Sequence, residues 1–201
     1  MYTFAALLAF MAVLGIAHSS KPCKSPTMWE GEESLEIDAK DLAMYLKVSY
    51  DAVNERVRAL VQVDSAQYEY IILYNKHRLY SIVRSTGECK VSKYDKPFVP
   101  AQVPDNATFV GDAYFGLKNT GLSYKTYYGT FAAESSKGDY VLCVTDDACI
   151  PFFSKVTVKG MIIRESFYNV ELGIKDPSVF TPPKSCKEGP VPQMFKDHPR
   201  Y

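Results

Sequence analysis

Tyr68, Tyr70, Ile72 and Tyr74 occupy every second position, and Tyr124, Thr126, Tyr128 and Thr130 do the same further along. A period of two puts such side chains on one face of an extended strand. Strand-like runs recur at 29–37, 43–50, 56–63, 68–74, 78–83, 108–115, 123–131, 140–145, 152–158 and 161–170. Between them lie turn-forming pairs such as Asp64-Ser65, Asn75-Lys76, Thr86-Gly87 and Lys159-Gly160. Short, evenly punctuated strands with no long helical period between them predict an all-β sandwich or barrel-like sheet. Residues 51–63 fit both periods. Val53, Val57, Leu60 and Val61 are spaced for a helix, while Val57, Ala59, Val61 and Val63 are spaced for a strand. Their β-branched content and strand neighbours favour the strand. The three prolines between 97 and 104 predict an extended connector between two groups of strands.

Residues 2–17 carry no charged side chain, and polar residues follow at once. The run is too short to span a bilayer and ends in a small-x-small pattern at Gly15/Ala17 or Ala17/Ser19. We read 1–18 as a cleaved secretory signal peptide, 19–186 as one β domain and 187–201 as a proline-rich tail. The tail is expected to run over the surface, pinned at Cys186, and to fray beyond it. No later segment is apolar for long enough to cross a membrane. In an oxidising compartment most of Cys23, Cys89, Cys143, Cys149 and Cys186 should pair, and one is left over. Spacing alone does not give the connectivity. Asn106-Ala107-Thr108 is an N-x-T sequon, and the compartment makes Asn106 a glycan acceptor.

Basic and acidic side chains balance at 23 each, without a basic cluster, which argues against nucleic-acid binding. There are 15 Tyr and 11 Phe against 3 His, so the chain has much surface for holding apolar groups and little for moving protons. His77 falls in an expected turn and His198 in the tail, and no G-x-S-x-G, H-E-x-x-H or P-loop is present. The pattern favours a binding protein over an enzyme. The candidates for an apolar ligand pocket are Tyr68, Tyr70, Ile72, Tyr74, Tyr80, Tyr114, Tyr127, Phe131, Tyr140, Leu142, Phe153 and Tyr168. The alternative is that each simply fills the core, since parity does not tell a cavity wall from a packed face. For a cation such as calcium the best local pair is Asp146/Asp147, with Asp112, Glu134 and Asp176 as possible contributors; no EF-hand loop is present. The alternative there is a solvated acidic turn.

Five stretches in register carry a family resemblance. They are Pro22-Cys23 with Trp29-Glu30-Gly31, Val48-Ser49-Tyr50-Asp51, PFVPAQVPDNATFVGDAYFG at 97–116, VTDDACIP at 144–151, and SFYNVELGIKDPSVFTPPKSC at 166–186. Together they resemble the ependymin and ependymin-related proteins across the mature chain. The resemblance implies two stacked antiparallel sheets forming a curved half-barrel with a hydrophobic pocket, similar to lipoprotein-carrier folds. It also implies a secreted or lysosomal glycoprotein that binds calcium, forms a homodimer and acts in cell–matrix adhesion, with collagen a possible partner. The family's cysteine pattern implies the pairs Cys23–Cys149 and Cys89–Cys186. Cys143 matches no family position, and it is read either as a buried thiol or as an intersubunit bridge. Two functions follow: a carrier of a lipid, fatty acid or similar amphiphile, or a calcium-dependent adhesion glycoprotein acting through its surface.

Overall fold

A computed structural model describes residues 20–133 and 136–197; the expected signal peptide, Glu134 and His198 lie outside the described residues. Twelve strands form one sheet: β1 (Met28–Ile37), β2 (Leu42–Asp51), β3 (Arg56–Val63), β4 (Ala66–Leu73), β5 (Arg78–Val83), β6 (Cys89–Lys93), β7 (Thr108–Phe115), β8 (Leu122–Ala133), β9 (Ser136–Thr145), β10 (Pro151–Val158), β11 (Met161–Leu172) and β12 (Lys187–Glu188). A five-residue helix, α1 (Gln193–Asp197), ends the described chain. The doubtful segment 56–63 is a strand, paired on both sides.

The order across the sheet is β12-β6-β5-β4-β3-β2-β1-β11-β10-β9-β8-β7. One antiparallel meander runs from β1 out to β6, and a second runs from β7 back to β11. They join where β11 pairs with β1. The expected all-β, curved half-barrel architecture holds, built as one unbroken ladder where the resemblance implied two stacked sheets. Turn chemistry sets the hairpins: Lys159 and Gly160, both at positive φ (50° and 76°), close β10–β11 with the twist that flanking strands need. Asp51 fixes the β2–β3 turn by accepting from Asn54 N, Asn54 Nδ2 and Arg56 Nε at 3.1, 2.8 and 2.7 Å.

The topology forces curvature. From β6 the chain must reach β7, ten strand positions away, about 48 Å across a flat sheet. The fourteen connecting residues span at most about 50 Å when fully stretched. They are not fully stretched, because Ala107 N turns back to the Pro104 carbonyl at 2.9 Å. The sheet therefore curls around the crossing chain. The crossing is fastened to the inner face: Phe98 stacks on Tyr50 at 5.8 Å, Ala101 N donates to Tyr50 Oη at 2.9 Å, and Val103 is 1% exposed. Cys23–Cys149 and Cys89–Cys186 are both bonded, and Cys143 on β9 is free and buried.

The C-terminal segment departs from the expected fraying tail. Beyond Cys186 it adds β12 in parallel to β6, Ser92 Oγ donates to the Gly189 carbonyl at 2.9 Å, and α1 returns to the inner face with Phe195 buried. The proline count in 182–199 pointed to an unpacked chain; the apolar pair Met194-Phe195 within it overrides that tendency.

Candidate functional site

The inner face of β2–β4 is an apolar strip built by period-two alternation. Leu46, Val57, Ala59, Val61, Tyr70 and Ile72 stand in adjacent register across the three strands. Their roof is α1, whose Met194 and Phe195 point onto the strip and leave a cavity of only about 10 Å³. Phe195 meets Tyr70 edge-on at 4.8 Å and Tyr94 at 6.2 Å. Lys96 Nζ donates to the Phe195 carbonyl at 2.5 Å. Beside this plugged strip, Tyr68, Tyr70, Ser81, Glu88 and Lys90 wall a cavity of about 250 Å³ that Pro190 and Pro192 bridge. Tyr70 belongs to both spaces.

Burial holds the hydroxyls of this region neutral. It pushes Tyr70 up to about 12, with Tyr68 adding to the effect. It raises Tyr74 and Tyr94 further still. At neutral pH these rings act as apolar wall with a polar tip, and they are unsuited to proton transfer. The Tyr94 hydroxyl is buried and has no hydrogen-bond partner.

The structure divides the twelve predicted pocket residues. Tyr68, Tyr70 and Ile72 line the two cavities. Tyr74, Tyr127, Tyr140 and Leu142 are buried in the inner core, and Phe131 packs against it. Tyr127 is fully buried, its hydroxyl donating to the Lys21 carbonyl at 3.1 Å. Four do not join them. Tyr80 packs in the separate cluster of Ile71, Leu73 and Ile82 on the opposite face. Phe153 pairs with Cys143 and Ser166, one residue out of phase with inward Ser154. Tyr168 is 46% exposed and meets Ser34 Oγ, and Tyr114 is 39% exposed on edge strand β7. The reason is parity: these four sit on strands whose inward phase the aromatic positions alone did not reveal.

The sequence reading missed Met194, Phe195, Tyr94 and Lys96, which no periodicity marks. It also missed polar residues of the inner face. Glu33 and Glu165 are 0% and 1% exposed, and Ser154 Oγ donates to Glu165 Oε2. The alternation of Glu33 with Leu35 and Ile37 was the available signal.

Asp146 and Asp147 sit in the turn between β9 and β10, where the chain itself engages both carboxylates. Asp146 is paired with Lys125 Nζ at 2.5 Å, which holds its carboxyl below the usual range, and Asp147 Oδ1 accepts from Ala148 N at 2.8 Å. Among the described residues no three His, Cys, Asp or Glu side chains converge as metal ligands. His77, in an exposed turn, lies 3.6 Å from Asp95. Asn106 is exposed in the turn ahead of β7. No helix among the described residues is long and apolar enough to cross a membrane.

Comparison with known proteins adds a lineage to this geometry. A family profile described as Ependymin matches residues 62–186. Mammalian ependymin-related protein 1 of Rattus norvegicus is 29% identical over 213 aligned positions, spanning 96% of this chain and 88% of that protein. Ependymin of Notemigonus crysoleucas is 24% identical over 201 positions, spanning 95% and 92%. Among solved structures, an uncharacterized conserved protein from Thermus thermophilus superposes with a TM-score of 0.53 at 10% identity, covering 81% of this chain and 90% of that one. That likeness is one of fold.

Proposed function

This chain belongs to the ependymin family, and from that premise we propose that it is a secreted, non-catalytic glycoprotein that binds a hydrophobic or amphiphilic ligand on the inner face of its sheet. The observation that carries the reading is the roof of the apolar strip. Leu46, Val57, Val61, Tyr70 and Ile72 are covered by one short terminal helix, next to an open space of about 250 Å³. An apolar wall with a few polar groups at its margin is the chemistry of a lipid pocket. Exposed Asn106 is the glycan acceptor in this reading, and the family context extends it to a homodimer in the extracellular space or the lysosome.

The test is organic extraction of the protein purified from secreting cells, with mass spectrometry of the extract, followed by displacement of a fluorescent fatty acid. A stoichiometric amphiphile or a displaceable probe supports the reading. An empty extract together with no probe binding ends it.

A second reading is a matrix-adhesion role through the outer surface. It is favoured by the β7–β8 tip, where Phe115, Leu117 and Leu122 are 69%, 77% and 44% exposed. Collagen binding that disappears on substitution of this tip and survives loss of the inner-face ligand would support it.

A further inference from the structure

Resting on the carrier reading above, we propose that Met194 and Phe195 occupy the chain's own ligand site, and that a single-chain lipid with a carboxylate head exchanges with them, its head received by Lys96 and Tyr94. The segment that carries the plug, 187–197, lies beyond the residues matched by the family profile, which end at 186.

Three observations converge. First, Phe195 is 3% exposed although it sits in a five-residue helix, the last element among the described residues. A helix that short is not stable by itself, so its packing onto the strip is what holds it. The bond from Phe195 N to the Pro192 carbonyl, 3.1 Å long, is made within the same segment, and the bond from Lys96 Nζ to the Phe195 carbonyl ties the helix to the crossing connector. The tether behind it is firm: Cys186 is bonded to Cys89 and β12 pairs with β6. A firm tether behind a one-turn helix, seated through its side chains and the bond from Lys96, describes a flap that opens without leaving.

Second, the space is of the right kind. The open 250 Å³ beside the plug is below the roughly 300–1,000 Å³ of small-molecule pockets. Departure of the Met194 and Phe195 side chains would uncover the apolar strip beside it, Tyr70 being common to both walls. The apolar lining runs across three neighbouring strands, from Leu46 through Val61 and Ala59 to Tyr70, which suits an unbranched acyl chain.

Third, the polar groups stand at one end. Lys96 Nζ is satisfied by the Phe195 carbonyl and sits 5.9 Å from the Tyr94 ring, and the Tyr94 hydroxyl is buried without an acceptor. When Phe195 leaves, the ammonium loses a carbonyl and gains room for a carboxylate, a stronger acceptor. The Tyr94 hydroxyl gains an acceptor it lacks in the closed form. An anionic head therefore replaces the contact the plug made, and the acyl chain replaces its side chains.

The experiment measures binding of cis-parinaric acid by fluorescence, with oleate and oleyl alcohol as competitors, to the full chain, Phe195→Ala, a chain ending at Glu188, and Lys96→Met. The self-occupied state competes with ligand, so its removal raises apparent affinity by the factor it formerly subtracted. Phe195→Ala and the shortened chain are expected to bind about tenfold tighter than the full chain. Lys96→Met is expected to lose most of its preference for oleate over oleyl alcohol and to bind the alcohol at least as tightly as the full chain does, because it also loses the bond that holds the Phe195 carbonyl. Chymotrypsin supplies an independent readout: oleate should accelerate cleavage after Phe195 in the full chain. If neither the full chain nor the opened variants bind the probe, the carrier reading itself fails. If all bind equally and oleate leaves the Phe195 cut unchanged, the carrier reading stands and the plug is refuted. If Lys96→Met keeps its carboxylate preference, the assignment of the head group is overturned.

Discussion

Replacing Cys23 and Cys149 with alanine tests whether the crossing connector is held by a covalent clamp or by its hydrogen bonds. The bond joins residues 126 apart. In the chain-entropy account a loop of that length is worth about 5 kcal/mol. The clamp does not act alone. Ser25 Oγ donates to the Cys149 carbonyl at 2.7 Å, Val103 N to the Cys23 carbonyl at 3.0 Å, and Lys24 bridges to Gln102. Those contacts survive in the variant and keep the native state native, so the loss falls on the unfolded chain, which regains its freedom. For a domain of this size about 5 kcal/mol corresponds to a fall in melting temperature of about 10–20 °C. Calorimetry on the oxidised wild type and the double variant reads it, with urea unfolding as the second measure. The Cys89–Cys186 pair closes a loop of 97, so the same account gives it nearly the same value, about 4.7 kcal/mol. A loss below about 1 kcal/mol at 23/149 would refute the reasoning, because it would mean that the unfolded chain is already confined there.

Further outcomes follow from single sites. Asp51 is buried, which opposes its charge, yet the hydrogen bonds from Asn54 and Arg56 hold its carboxyl below the usual range. Its contribution is therefore present above pH ~4 and is lost as pH falls through the lower folded value. Asp51→Asn should cost about 1.5–3 kcal/mol at pH 7 and flatten the acid limb of a stability–pH profile; an unchanged limb would contradict this. Burial pushes the Cys143 thiol up, against the weaker opposing effect of its 3.6 Å contact with Thr126 Oγ1. Native protein should resist iodoacetamide at pH 8 and label fully in denaturant. Rapid native labelling, or a reducible dimer that Cys143→Ser abolishes, would revive the intersubunit bridge. A Cβ at Gly129 would overlap the Tyr140 ring across the β8–β9 pair, so Gly129→Ala should cost about 1–3 kcal/mol by urea titration, and a neutral result would show that the ring swings inward freely.

The fold was largely legible because its rule is local. Period two and turn pairs located the strands from β1 through β5 and from β7 through β11, within a residue or a few of their observed ends. The short β6 and β12 were not found, since five and two residues carry too little alternation to register. The site was legible only in part. Tyr68, Tyr70 and Ile72 line it because their alternation is phased with buried Val57, Ala59 and Val61 on the neighbouring strand. Tyr80 and Phe153 show the limit: an aromatic's face depends on the phase of its strand, which the register and bulges such as that between Pro151 and Phe153 decide. Phe195 and Lys96 were out of reach for a different reason. They meet across 99 residues, through the C-terminal segment returning over the sheet edge, and no sequence spacing encodes that return. Glu33 and Glu165 stand diagonally across β1 and β11, the junction where the two meanders of the sheet meet.

The most direct measurement is a crystal structure of the full chain grown with oleate. The account predicts the acyl chain lying along Leu46, Val61, Tyr70 and Ile72, its carboxylate at Lys96, with Phe195 displaced from Tyr70. Phe195 still seated against Tyr70, with the strip closed and oleate bound elsewhere or not at all, would contradict it.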